Sequence, residues 1–425
     1  MPKISSFFIK QDPMRRVLYA LTPIFLWSTY LYGWRVPLLL AFVVLLASAA
    51  EFVFEKSRGK KVTEAVWVTG GLFALSLPPA VPFWVAGVGI FFAVIIGKEV
   101  FGGFGRNLYN PAITGRTFVY ISFPLMMQTT WMIPGNFAIG GSMNLLVQGS
   151  TFPEAVFMTL LAAGLYWWFV RSEGKTGPVI RGSIVVVALT IAFYVTTAYL
   201  FPYTKGHANA LSDLDAVAMA TPLEVYRGLA QAHDWHRTVS LFGMTFPLDA
   251  NNPLALFLGL RVGSIGEGPI FLIILAGLYL MMTKTANWRP LIWTIVSAIA
   301  FTLLFYFSGM MDSRFPVFAA HRSVGGLASL GDLAGFLMSG SLLFAAVFMA
   351  TDPVSAPKKP LSQALYGIII GSLTITIRVF AGFPEGVSFA ILTANTFAML
   401  LDEILPPKKK EAAAPKVAAK AGGES

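Results

Sequence analysis

Cysteine is absent from the 425 residues, which removes disulfides, thiolate metal sites, iron–sulfur ligation and c-type haem attachment from this chain. Charge is scarce as well: Asp, Glu, Lys and Arg make up 12% of the residues against 56% hydrophobic, and the mean hydropathy is +0.69. A water-soluble globule does not carry that balance. At roughly 20 apolar residues per crossing, the chain has enough apolar sequence for about a dozen spans, so its solvent is a bilayer. A soluble enzyme and a nucleic-acid-binding protein are both excluded.

What charge there is has a pattern. Apolar stretches bounded by charge, Gly or Pro fall near 17–33, 36–54, 63–79, 83–98, 117–135, 153–170, 183–202, 269–283, 290–309, 330–350, 361–380 and 387–404. With a cytoplasmic N-terminus, most of the 31 Lys and Arg fall in inside segments, among them Lys3, Lys10, Arg15, Arg16, Lys56, Lys60, Lys98, Arg106, Arg116, Arg171, Lys175, Lys284, Lys358 and a Lys-rich tail. The net charge of +10 therefore records orientation rather than a polyanion partner. Both termini are expected inside, and no removable signal peptide is read at MPKISSFFIKQDPMRR. All four histidines, His207, His233, His236 and His321, then fall in outside loops, which disfavours a haem between helix histidines.

The expected fold is an all-α polytopic membrane protein of about twelve transmembrane helices. Its organisation is a cytoplasmic N-terminus over 1–16, a first membrane half over 17–135, an inserted helix pair over 136–202, an extracytoplasmic loop over 203–268, a second membrane half over 269–404, and a disordered cytoplasmic tail over 405–425.

Two interruptions combine helix-breaking residues with polar groups. GKEVFGGFGRNLYNPAITGR, Gly97 to Arg116, contains Asn107 and Asn110 ahead of Pro111; FMATDPVSAP, Phe348 to Pro357, contains Asp352 ahead of Pro353. Broken helices related by an internal repeat could turn half-helix ends toward a polar ligand or ion. Plain turns with Asn or Asp capping the next helix account for the same residues, and both readings stay open. Acids at or near membrane depth are the other costly feature: Glu51, Glu64, Glu99, Asp352, Glu385 and Asp402, of which Glu99 and Asp402 sit near helix ends where snorkelling to the interface suffices. In the outside loop, Thr221-Pro222-Leu223-Glu224 reads locally as a capping box.

The two interrupted motifs, together with GSIGEG at 263–268 and IRVFAGFPEGVSFAILTANTFAMLLD at 377–402, resemble a membrane flavoprotein family with two main members. These are the NqrB component of the sodium-translocating NADH:quinone oxidoreductase and the RnfD component of the Rnf electron-transport complex. The resemblance implies a ten-helix inverted-repeat core, here with two inserted helices, in a bacterial inner membrane. It implies FMN joined covalently to Thr221 through a phosphoester by a flavin transferase, with Asp215 and Ala220 matching the attachment motif and Ala218 and Met219 departing from it. It also implies a second, non-covalent flavin, riboflavin, near Asn107 and Asn110, a quinone site at Glu51, and cation uptake involving Asp402, with Asp352 and Glu385 as further ion-pathway acids. The family's paired glycines before Glu51 are Ala47 and Ser48 here.

The implied activity is that of one component in a redox-driven Na+- or H+-translocating complex, passing electrons toward quinone or a partner carrier. No NADH-binding glycine fingerprint follows a strand, so the primary donor binds elsewhere and partner subunits are required. An inverted-repeat channel or secondary transporter without redox activity is the alternative.

Overall fold

The computed structural model describes residues 8–132, 134, 238–241, 244–247, 253–312, 315, 318, 327–381 and 386–405. The expected inserted pair, Asp215 to Thr221, Glu385, the four histidines and the Lys-rich tail lie outside the described residues.

Helices dominate. The first group comprises α1 (Asp12–Tyr32), α2 (Arg35–Ser57), α3 (Ala65–Leu75), α4 (Phe83–Val94) and α5 (Pro111–Ser122), followed by the short α6 (Pro124–Thr129). The second comprises α7 (Pro253–Leu258), α8 (Ile270–Met282), α9 (Trp288–Phe307), α10 (Leu327–Met338), α11 (Leu342–Phe348), α12 (Pro360–Phe380) and α13 (Val387–Ile404). Strand structure among the described residues is confined to two short pairs: β1 (Phe8–Ile9) parallel to β2 (Val62–Thr63), and β3 (Thr238–Leu241) antiparallel to β4 (Met244–Pro247). The molecule is a multi-pass, all-α membrane protein.

Among the described residues four helices, α2, α9, α12 and α13, are each long and apolar enough to cross a bilayer unaided. The stretch read as one span over 330–350 is instead two pieces, α10 and α11, bent by 52° at Ser339-Gly340-Ser341. The stretch read over 117–135 also divides, because Pro124 supplies no backbone N–H to continue α5 and starts α6 instead. α4 runs into a π-helical turn, Ile95–Glu99, before the chain leaves the helix.

Within each group the helices pack on one another: α2 on α3 and α4, α4 on α5, and α9 against α12, which packs on α13. The α9–α12 contact is close because small residues face it. A Cβ at Gly371 would collide with the Thr294 carbonyl oxygen, so only glycine admits this approach. Contacts of α1 with α8 and of α5 with α13 join the groups. Outward faces, such as Ile292, Val296, Leu303 and Phe307 on α9, remain exposed and apolar, as lipid requires.

Candidate functional site

The two interrupted segments meet. One cavity is lined by Lys98, Asn107, Asn110 and Pro111 from the first and by Thr351, Asp352 and Pro353 from the second, with walls from Met14 and Val17 of α1 and Val68, Thr69 and Leu72 of α3. Asn110 is the N-cap of α5: its Oδ1 accepts from the backbone N–H of Ala112 at 3.0 Å and of Ile113 at 3.3 Å. Asn107 donates from Nδ2 to the Tyr109 carbonyl at 3.0 Å. Asp352 does not cap α12; it closes its own turn, accepting from the Val354 N–H at 3.1 Å and the Ser355 hydroxyl at 2.9 Å. Capping and cavity lining are thus the same residue's work at Asn110.

Beneath the cavity lies an ionic cluster. Glu51, on α2 and fully buried, accepts from Lys98 Nζ at 2.5 Å and from Thr63 N and Oγ1 at 3.0 and 2.7 Å, while Lys98 also donates to Thr63 Oγ1 at 3.1 Å. Lys98 therefore links Glu51 to the cavity wall. Next to it, Arg58 pairs with Glu99 Oε2 at 2.6 Å and Glu55 Oε1 at 3.3 Å, and donates to the Glu99 carbonyl at 2.6 Å. Gly103, at φ 91°, lets the backbone pass over Glu55: a Cβ there would collide with Glu55 Oε1. Thirteen residues after Glu51, Glu64 has a separate partner, taking two bonds from Arg15 Nε at 2.9 and 3.1 Å, one from Nη2 at 2.6 Å, and one from the Gln11 N–H at 2.8 Å. It stands just ahead of α3, and the Arg15 guanidinium holds its carboxyl below the usual carboxylate range against the opposing effect of burial.

Asp402 is not among the cavity-lining residues. Its two oxygens accept from the backbone N–H groups of Lys358 and Lys359 at 2.7 and 3.0 Å, serving the N-terminus of α12 from the neighbouring α13.

The structure corrects three sequence expectations. Lys98 and Arg116, counted as inside-loop charges, are buried in the π turn and in α5, so neither reports orientation. Glu99 does not snorkel; it is fully buried.

Sequence reasoning also missed a group of buried arginines that hold the chain where α10 and α3 end. After α10, Arg261 donates to the carbonyls of Met338 at 2.6 Å and Gly340 at 3.3 Å, Arg378 to those of Phe336 at 3.0 Å and Ser339 at 2.9 Å, and Arg116 to the Ser341 hydroxyl at 2.9 Å. After α3, Arg35 donates to the carbonyls of Pro79 and Val81 at 3.0 and 2.7 Å. Helix ends inside a membrane leave carbonyls that water cannot satisfy, and guanidinium groups satisfy them here. The GSIGEG loop connects these two helix ends: the N–H groups of Ile265 and Gly266 donate to the carbonyls of Leu77 and Leu75 at 3.0 and 2.6 Å, and Arg261 precedes the same loop. An arginine inside an apolar run, as in TITIRVF, was the visible signal.

Known proteins resemble the chain over nearly its whole length. A family model described as NQR2, RnfD, RnfE matches residues 8–411. The chain belongs to that family. The NqrB-type protein of the Na(+)-translocating NADH-quinone reductase of Chlamydia felis is 31% identical over 382 residues, covering 84% of this chain and 72% of that protein. The RnfD-type protein of the ion-translocating oxidoreductase complex of Actinobacillus succinogenes is 30% identical over 412 residues, covering 96% and 95%. Its counterpart in Shewanella amazonensis is 28% identical over 404 residues, covering 93% and 92%. Both branches of the NQR2, RnfD, RnfE family are therefore similar to it.

Proposed function

We propose that this chain is the membrane subunit of a redox-driven, ion-translocating electron-transport complex, carrying FMN esterified to Thr221 and assembled with further subunits in a bacterial inner membrane. The observation that carries this reading is the family match from residue 8 to 411, with relatives named as subunits of a Na+-translocating quinone reductase and of an ion-translocating oxidoreductase. Matching 95% of an RnfD-type protein against 72% of an NqrB-type protein favours the Rnf-type assembly in length, while the identities are nearly equal.

FMN, once attached, supplies one- and two-electron exchange; the polypeptide supplies position, potential and exclusion of water. Thr221 is the acceptor oxygen, Asp215 and Ala220 match the motif read by a flavin transferase while Ala218 and Met219 depart from it, and a threonine hydroxyl needs such external activation. Riboflavin is assigned to the cavity between the interrupted segments, and the residues there fit a planar, partly polar ligand. The walls from α1 and α3 are mostly apolar, and the Asn107 side-chain carbonyl oxygen and Asn110 side-chain N–H make no hydrogen bond among the described residues. Glu51 is assigned to quinone, and Asp352, Glu385 and Asp402 to the path of Na+ or H+. Coupling requires that the redox state bias two arrangements of the interrupted spans, changing access to the ion.

Fluorescence in a denaturing gel tests the flavin bond. A fluorescent band that survives denaturation and disappears in Thr221→Ala supports the reading. No band in a host that holds the transferase favours a channel or secondary transporter built on the same helices.

A further inference from the structure

The cluster beneath the cavity does not balance its charge. Glu51, Glu55 and Glu99 are each 3% exposed or less, and they face two cations, Lys98 and Arg58. Glu51 is accounted for, since Lys98 and both Thr63 donors fill its oxygens. That leaves Glu55 and Glu99 sharing one guanidinium. The other groups at hand do not supply the missing charge: Thr63 and Phe104 are neutral, and Arg106, beyond Gly102 on the covering loop, is exposed.

We propose that Glu99 is an exchangeable proton site, holding the proton on Oε1 while Arg58 remains in place. Three observations carry this. Glu99 is fully buried, and its Oε1 has no hydrogen-bond partner among the described residues, a costly state for an ionised oxygen and a much cheaper one for a carboxylic acid. Arg58 is anchored independently of the Glu99 charge, because its Nη2 binds the Glu99 backbone carbonyl at 2.6 Å. Glu99 also ends a π-helical turn, whose extra residue directs the Lys98–Glu99 pair inward from the last turn of the α4 span.

A metal cation does not suit the vacancy in charge. Sodium-like ions take several oxygens, and among the described residues no group of three or more acidic or histidine side chains could hold a metal ion. The step is simple protonation: the Glu99 carboxylate takes H+ from water through the Arg58 side of the cluster, where Arg58 is 30% exposed, and returns it the same way. This site stands whether or not the chain carries flavin.

Infrared spectroscopy of the full chain in detergent, in H2O and D2O, tests it. The expected spectrum has a protonated-carboxyl C=O band that shifts in D2O, is lost in Glu99→Gln, moves in Glu99→Asp and keeps its position in Glu55→Asp. Helical circular dichroism confirms that each variant is folded, and Glu99→Asp decides the matter where Glu99→Gln is not. A band unaffected by both Glu99 substitutions overturns the proposal. So does a band moved by Glu55→Asp instead, or one that emerges only when Na+ is withdrawn.

Discussion

A lysine and a glutamate 2.5 Å apart, both almost without exposure, respond differently to losing one partner or both. Lys98→Met strands the Glu51 charge away from water and is expected to cost about 3–5 kcal/mol, whereas Lys98→Met with Glu51→Leu recovers a large part of that. Thermal unfolding in detergent of the two singles and the double checks the coupling. Near the same end, Glu64 gives a pH dependence with a definite sign. Its carboxyl is lowered by Arg15, so its contribution is complete above the ordinary carboxylate range of about 4.3 and fades as pH falls through the lower native value. The wild type is expected to lose melting temperature on acidification more steeply than Glu64→Gln.

At the scale of elements, the loop that ends in Gly266 is the sensitive part. A Cβ at Gly266 would lie 2.7 Å from Leu75 Cβ, so Gly266→Ala must push the loop away from the end of α3 and is expected to lower stability by roughly 1–3 kcal/mol. Arg378→Met uncovers the carbonyls of Phe336 and Ser339 and should cost a similar amount, read as a lower melting temperature and faster proteolysis near the α10–α11 bend.

Much of this level was legible beforehand. The stretches read at 361–380 and 387–404 match α12 and α13 to within a residue, because unbroken apolar runs between charges leave few alternatives. The bend inside 330–350 was not read, since Ser339, Gly340 and Ser341 lie inside a run whose apolar average hides them. Lys98, Glu99 and Arg116 were misread for another reason: charge flanking an apolar run looks like loop until tertiary structure supplies its partner. Glu51 meeting Lys98, 47 positions away, is not a local pattern. Asn107, Asn110 and Asp352 stand out in the sequence beside helix-breaking residues, but only the fold brings them to one cavity.

For the whole molecule, the absence of cysteine makes any introduced thiol unique. Lys61→Cys and Lys358→Cys, both exposed, are expected to react with a membrane-impermeant thiol reagent in inverted vesicles and to resist it in intact cells, if both lie on the cytoplasmic side. Labelling from opposite sides would refute the proposed orientation.

The segment from Arg261 to Gly266 has a mechanical consequence as well. It grips the carbonyl end of α10 with a guanidinium and the carbonyl end of α3 with two amides, and α1 holds it from a third direction through Ser28 and Tyr32. A strap tied at both helix ends makes α3 and α10 one moving part: whatever tilts the first must drag or release the second.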